Sequence, residues 1–430
     1  MRPPSRTLSV GALARVDGEG ALHVTLADGA VQRVELNIYE PPRFFEAFQR
    51  GRHARELPDI TARVCGICPV AYQVSACNAV EDAFGMTPDP SVVALRRLLY
   101  CGEWMHSHAL HVFLLHMPDF LGYPDAIALA RNRPAVVESG LALKKAGNTV
   151  MERIGGRAVH PVNVRLGGFY SVPGRTDLEP VIEMLRRAHD HALDTVRLVA
   201  GFGFPDVEYD HELLALTHPH RYPIENGAVG LSAGPGFAAA EFGDHVATTQ
   251  VAHSTAAHTA LDGGRYLTGP LARYSLNSDR LTTVARQAAA AAGLGPACRN
   301  PFRSIVIRAV EIVYAIEEAL RIIDEYEPPS RLFVDVPVRA GTGYGVSEAP
   351  RGLLYHRSDF DGDGLVSALP RWCHPAQNQA AIEHEMAQVV SGNQALDDAA
   401  LTDLCERSIR NHDPCISWAM HFLTVDVERH

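Results

Sequence analysis

The sequence predicts a mainly α fold of the α+β type, with a bundle of long central helices and small β-hairpins on its flank. Three observations carry this. Apolar residues recur at helical spacing through several long segments, the longest over residues 90–121. Gly-rich, turn-dense stretches with short β-type runs lie between them. No repeat period, low-complexity tract or clean linker divides the chain, so residues 1–430 read as one domain.

In chain order, "GALHVTLADGAVQRVEL" alternates, with Ala21, His23 and Thr25 on one side and Leu22, Val24 and Leu26 on the other. The Asp28-Gly29 pair makes this an antiparallel hairpin. "PPRFFEAFQRGR" opens with prolines suited to a helix start and reads as a short helix with Phe44, Phe45 and Phe48 on its buried side. "ITARVCGICPVAYQVSACNAVEDAFG" reads as a Gly/Pro-broken loop running into a helix. Residues 90–121 are long enough to belong in the middle of a bundle. "AVVESGLALKKAGNTVMERIGG", "LEPVIEMLRRAHDHALDTVRLVAGF" and "PFRSIVIRAVEIVYAIEEALRIIDEYE" add further helices, each closed by Gly or an acidic-Pro turn. The stretches "VGLSAGPGFAAAEFGDHVATTQVAHSTA" and "RLFVDVPVRAGTGYGVSEAPRGLLYHRSDFDGDGLVSAL" supply the hairpins.

Composition narrows the function classes. Hydrophobic residues at 47% and charged ones at 21% fit a globular protein with a large core. A formal charge of -11, from 39 Lys+Arg against 50 Asp+Glu, argues against general nucleic-acid or anionic-membrane binding. No apolar run is long enough to span a bilayer, and the start lacks the apolar core of a secretory signal, so a cytoplasmic protein is expected. Eight cysteines are too sparse for a disulfide framework, and reduced thiols are expected.

Chemistry concentrates in a few places. Cys65-Gly66-Ile67-Cys68 puts two thiolates on a loop where glycine permits a tight turn, so both sulfurs can converge on one soft metal. A pair of small buried residues at a helix start and a redox dithiol are the other readings, the second weakened by the lack of a βαβ context. Near the other end, "DPCISWAMH" offers Cys415 but no second cysteine three positions on, where Trp418 stands. Cys65, Cys68, Cys415 and His421 together make an acceptable tetrahedral zinc set. In "SEAPRGLLYH" Arg351 follows Pro350 in a Gly-flanked turn, from which a guanidinium can project into a cleft.

Taken together, "RVDGEG", "PPRFFEAF", "RVCGICPVAYQ", "SHALHVFLLHMPDFLGY", "GGRAVHPVN", "SEAPRGLLYHR", "AQNQAAIE" and "RNHDPCISWAMHF" occur in an order that resembles the large subunit of nickel-iron hydrogenases, essentially end to end. The details look most like the cytosolic, NADP-linked sulfhydrogenase type. The resemblance implies a nickel held by two cysteine pairs, with one cysteine of each pair bridging to an iron that carries cyanide and carbon monoxide. By position Cys65 and Cys415 would be terminal nickel ligands and Cys68 a bridging one. It further implies a magnesium bound by Glu46 and His421, a proton relay at Asp17, and a pocket lined by Pro350, Arg351, Asp119 and Asp413. The implied reaction is heterolytic H2 oxidation or proton reduction. Electrons would pass to an iron-sulfur small subunit, then on to NAD(P)-linked diaphorase subunits, since this chain has too few grouped cysteines for clusters of its own. In the family the large subunit is also trimmed after the histidine matching His421, so "FLTVDVERH" is expected to be removed.

The chain departs from the family's pattern at its centre. Trp418 takes the position of the second bridging cysteine, and its indole N–H only donates. Cys373-His374-Pro375 stands where a Pro-Pro-Thr is expected, Asp17 replaces a glutamate, and Glu19 replaces a histidine. The alternative expectation is therefore a hydrogenase-derived subunit that kept fold and partners but lost or altered its metals, as the quinone-site subunit of respiratory complex I has done. A zinc or nickel-only protein using Cys65, Cys68, Cys415 and Cys373 or His374 stands third.

Overall fold

The structure, a computed structural model, describes residues 6–28, 30–40, 44–368, 371–373 as backbone, and 377–415. Among these, seven helices frame the site: α1 (Pro69–Ala83), α2 (Pro90–Ala109), α3 (Pro134–Gly155), α4 (Arg175–Ala200), α5 (Ser304–Asp324), α6 (Gln379–Gly392) and α7 (Asp398–Arg410). Proline at the first turn starts α1, α2 and α3, where the missing N–H costs nothing. The Asp89 carboxylate accepts the Ser91 N–H at 2.8 Å and caps α2.

Residues 90–121 form one helical run, as their spacing predicts, buried without interruption from Leu95 to Ala109. Its second part, Leu110–His116, is π-helical, which the apolar spacing does not reveal. α2 packs against α3 and α5, and α5 against α4. The α2–α3 crossing needs glycine, because a Cβ on Gly147 would come within 2.4 Å of the Gly102 carbonyl oxygen. Arginines enter this core only with partners: Arg96 forks onto Glu81 at 2.8 and 2.6 Å, and Arg97 meets Glu225 at 2.6 Å and Glu318 at 2.5 Å.

The expected N-terminal hairpin pairs Gly20–Ala27 with Ala30–Ile38, and Arg6–Val10 adds a third strand on its other side. Leu22, Val24 and Leu36 are fully buried in a cluster with Ile382 and Met386 of α6 and Leu401 and Ile409 of α7. The short helix is Phe45–Gln49, but its inward residues are Glu46 and Gln49. Phe44 and Phe48 are exposed, Phe48 by 62%. Glu46 and Gln49 share one helix face, so turning them inward leaves Phe48 outside, and Phe44 precedes the helix with a left-handed backbone, φ 52°.

The hairpin Gly341–Ala349 with Gly352–Phe360 flanks the bundle with one side against α1. Its glycines set that distance, since a Cβ on Gly343 would lie 1.9 Å from the Ala79 carbonyl oxygen and one on Gly345 2.1 Å from that of Ser75. The tip therefore sits deep enough to bring residue 351 to the interior. Short strands at Ala228–Leu231 and Val246–Thr249 lie in the other Gly-rich stretch, and the second pairs with His258–Leu261 just beyond it. We predict that Gly343→Ala destabilises the protein by about 1–3 kcal/mol or more in thermal unfolding. Gly243→Ala, with open space at its Cβ, should shift stability by less than about 0.5 kcal/mol.

Candidate metal centre

The loop ahead of α1 carries Cys65 and Cys68, both fully buried. Cys65 Sγ accepts the N–H of Ile67 at 3.3 Å and of Cys68 at 3.2 Å, a turn that holds a thiolate. Cys415, 3% exposed, comes from the far end of the chain. The three Sγ atoms lie within 4.8 Å of one another. Residues that the sequence separates by some 350 positions thus form one sulfur cluster.

Two elements complete it. The segment between the first two strands brings Asp17 beside Cys415: their backbones form a parallel bridge, and Cys415 Sγ donates to Asp17 Oδ2 at 3.3 Å. At the hairpin tip, Pro350 and Arg351 form the two-residue turn between the paired Ala349 and Gly352. Gly352 has φ 145°, and a Cβ there would meet Thr268 Oγ1 at 2.4 Å, so the turn requires glycine. Arg351 is 3% exposed, with Nε 3.1 Å from Asp413 Oδ2. Its three guanidinium nitrogens make no hydrogen bond among the described residues. It thus offers buried donors beside the sulfurs.

These charges act on one another. Burial works to raise Cys65, but the neighbouring Cys415 and Cys68 thiols and the charge of Arg351 hold it well below the usual thiol range. For Cys68 the hydrogen bond with Cys415 pulls downward; donating to Cys65 and burial prevail and hold it well above. Burial and the bonds to Cys65 and Cys68 also keep Cys415 well above. The three sulfurs share one negative charge. Burial raises Asp17, against the pull of Arg351, which suits it to take up a proton.

The other expected residues fall out unevenly. Pro350 offers its carbonyl to Arg273 Nη2 at 2.9 Å, and Arg273 also holds Glu311 and Glu348. Asp119 is not placed against Arg351. It accepts both Arg410 Nε and Nη2, at 2.8 and 2.9 Å, and pairs with Arg15. Arg410 Nη1 further donates to the Ala14 carbonyl at 3.0 Å, so Asp119 anchors the segments that carry Asp17 and Cys415. Glu46 is buried in its short helix. Its expected partner His421 lies outside the described residues, as do Trp418, His374, Pro375 and the side chain of Cys373.

Glu103 went unrecognised in the sequence. From the middle of α2 its carboxylate accepts Val70 N–H at 2.6 Å and Ala71 N–H at 3.1 Å, capping the first turn of α1 directly after Cys68. Burial raises it well above the carboxylate range against those two bonds. A lone acid inside an apolar helix, in "CGEWMHSHAL", was its signal.

Three convergent thiols with a proton acceptor and a buried cation beside them are a donor set that suits a soft metal. Comparison with known proteins gives the class. The model of the nickel-dependent hydrogenases matches residues 43–170. The chain is 33% identical to the alpha chain of sulfhydrogenase 1 of Pyrococcus furiosus over 96% of this chain and 97% of that one. It is 28% identical to a chain of the vhu F420-non-reducing hydrogenase of Methanococcus voltae, over 89% of this chain and 97% of that one. An NAD+-reducing [NiFe]-hydrogenase chain superposes with a TM-score of 0.87 at 24% identity, covering 97% of this chain and 99% of that one. The Ni-Fe-Se hydrogenase of Desulfovibrio vulgaris Hildenborough gives 0.77 at 20%, over 97% and 100%. The chain belongs to the nickel-dependent hydrogenase family, among the large subunits of oxidoreductases that act on H2.

In the metal-free protein, thiolate absorbance at neutral pH should report ionisation within the three-sulfur cluster and fall in Cys65→Ser. The buried thiols Cys77 and Cys405 are pushed up to about 12 by burial and stay protonated. Glu103→Leu, which strips two buried N–H groups of their acceptor, should cost about 1–3 kcal/mol per group in unfolding.

Proposed function

We propose that this chain is the catalytic large subunit of a cytoplasmic nickel-iron hydrogenase, acting as one domain over residues 1–430, and that it exchanges electrons with an iron-sulfur small subunit. The observation that carries this reading is the cluster of Cys65, Cys68 and Cys415 with Asp17 and Arg351 around it. The donors fit a soft metal: three sulfurs converge, and the buried Arg351 guanidinium offsets the charge left when Cys68 and Cys415 lose their protons. Cys65, Cys68 and Cys415 would hold a nickel-iron pair, which would supply the chemistry for heterolytic splitting of H2. Glu46 and His421 would hold magnesium.

The chain's own residues handle the proton. Cys415 Sγ donates toward Asp17 Oδ2. Asp17 is half-buried while Cys415 is buried and Glu19 is exposed, so the carboxyl stands between sulfur and solvent and can relay a proton outward. Arg351 keeps a fixed positive charge at the pocket wall, and Asp413 orients it.

A partner surface is supported beside the cysteine loop. Val159, Val162, Tyr170, Leu332 and Val334 are exposed on adjoining segments that pair through Gly168 and Phe333. His160 Nδ1 bonds the Ala62 carbonyl at 2.6 Å and ties that surface to the residues just before Cys65. An apolar patch here suits an iron-sulfur subunit placed to take electrons. Likeness to an NAD+-reducing hydrogenase supports NAD(P)-linked diaphorase subunits beyond it. No helix among the described residues is long and apolar enough to cross a membrane.

Trp418 favours a second reading, a hydrogenase-derived subunit whose metal centre is altered or lost, because an indole cannot bridge two metals. Metal analysis with infrared spectroscopy of the purified complex separates the two. About one nickel and one iron per chain, with bands of bound cyanide and carbon monoxide, is the expected result; zinc alone points to the second reading. In the active complex Asp17→Asn should lower turnover by about 10²–10⁴-fold with metal content unchanged, and Asp17→Glu should retain activity.

A further inference from the structure

We propose that His253, His258 and Glu383 form a second metal site, for a zinc-class divalent cation, which ties the N-terminal sheet to α6. One ligand atom from each lies within 4.8 Å of the other two. The three residues come from separate elements: the turn after Val246–Thr249, the first position of the strand His258–Leu261, and the second turn of α6. His253 Nε2 is 2.8 Å and His258 Nε2 3.7 Å from Glu383 Oε1, with the two rings near perpendicular at 81°. Two imidazoles and a carboxylate are a common ligand set for zinc, with a fourth position left for water.

Two features distinguish this cluster from a histidine-carboxylate ion pair. His258 Nε2 is buried and makes no hydrogen bond among the described residues, although it points at the same carboxylate. An ion between the three groups gives that nitrogen a partner. Behind His253 stands a second carboxylate, since Glu35 Oε1 is 3.5 Å from Nδ1, the ring nitrogen opposite the one that faces Glu383. An ion that displaces the proton Nε2 shares with Glu383 leaves the ring proton on Nδ1, where Glu35, itself paired with Arg33, stands close enough to receive it, the outer arrangement usual for zinc-bound histidine.

The surroundings hold the ligands in place and leave an entrance. Glu383 Oε1 also accepts the Leu36 N–H at 2.9 Å. The turn bearing His253 is pinned to the end of the strand Ala30–Ile38, where Ile38 N–H donates to Ser254 Oγ at 3.2 Å and Thr255 N–H to the Ile38 carbonyl at 2.7 Å. A groove of about 380 Å³, lined by Gln32, Arg33, Arg265 and His384, opens beside Glu383. An ion here would clamp the sheet whose first connection carries Asp17, at a site separate from the three cysteines.

The test must exclude zinc on those cysteines, so it uses the full chain carrying Cys65→Ser, Cys68→Ser and Cys415→Ser. After equilibration with zinc and dialysis this protein should retain about one zinc per chain. Cobalt(II) in its place should give d–d absorption without thiolate charge transfer. Adding His253→Ala with His258→Ala should abolish both signals. Glu35→Gln leaves all three ligands in place and should weaken zinc roughly 10–100-fold, with the zinc-free thermal midpoint showing that the variant folds. No zinc retained by the chain lacking these three cysteines, or zinc binding indifferent to the histidine and Glu35 changes, overturns the proposal.

Discussion

The site depends on closing the two ends of the chain onto each other. Asp17 and Cys415 share a backbone bridge and a hydrogen bond across 398 positions. Bringing such distant residues together costs chain entropy of order (3/2)RT ln n, about 5 kcal/mol plus a constant. One net hydrogen bond returns only about 0.5–1.5 kcal/mol. The closure therefore rests on the apolar face of the N-terminal sheet, where Leu22, Val24, Leu36 and Ile38 are buried with residues of α6 and α7. At about 1.5–3 kcal/mol for each fully buried side chain, four such residues exceed the closure term. Asp119, clamped between Arg410 and Arg15, then fixes the register of the two segments.

Closure brings like charges together, and the second constraint is how they are held. Three buried sulfurs cannot all ionise without compensation. In the folded chain they share one charge, with Cys65 lowered and Cys68 and Cys415 raised. Arg351 is the buried cation placed for further ionisation, delivered by a hairpin whose depth depends on Gly343 and Gly345 and held from behind by Arg273. The arrangement provides in advance the charge balance that ligation of a cation by all three thiolates requires. By resemblance Trp418 takes the place of one further thiolate, whereas fold and family rest on the chain as a whole.

Much of this was legible in the sequence, for reasons that differ by residue. The long helices announced themselves by periodic apolar positions, and Asp28-Gly29 by its turn chemistry. Cys65, Cys68, Cys415, Asp17, Arg351 and Asp413 were found through ordered motifs, and the structure brings them together. Glu103 was missed because a motif reading follows loops and passes over an acid inside a helix. The π-helical turn was missed because 3.6-residue spacing tolerates one inserted residue. Phe44 and Phe48 were placed inside on hydrophobicity alone, whereas the helix phase is set by Glu46. Asp119 was assigned to the pocket by resemblance, and only tertiary contacts could reveal that Arg15 and Arg410 already hold it. The His253, His258 and Glu383 cluster had no sequence signal, since its ligands meet only through packing of the sheet on α6.

X-ray absorption at the nickel edge of the matured complex tests the central claim most directly. Ligation by Cys65, Cys68 and Cys415 predicts nickel with three sulfur neighbours, falling to two in Cys415→Ser. Absence of nickel, or a sulfur count unchanged by Cys415→Ser, would contradict the account.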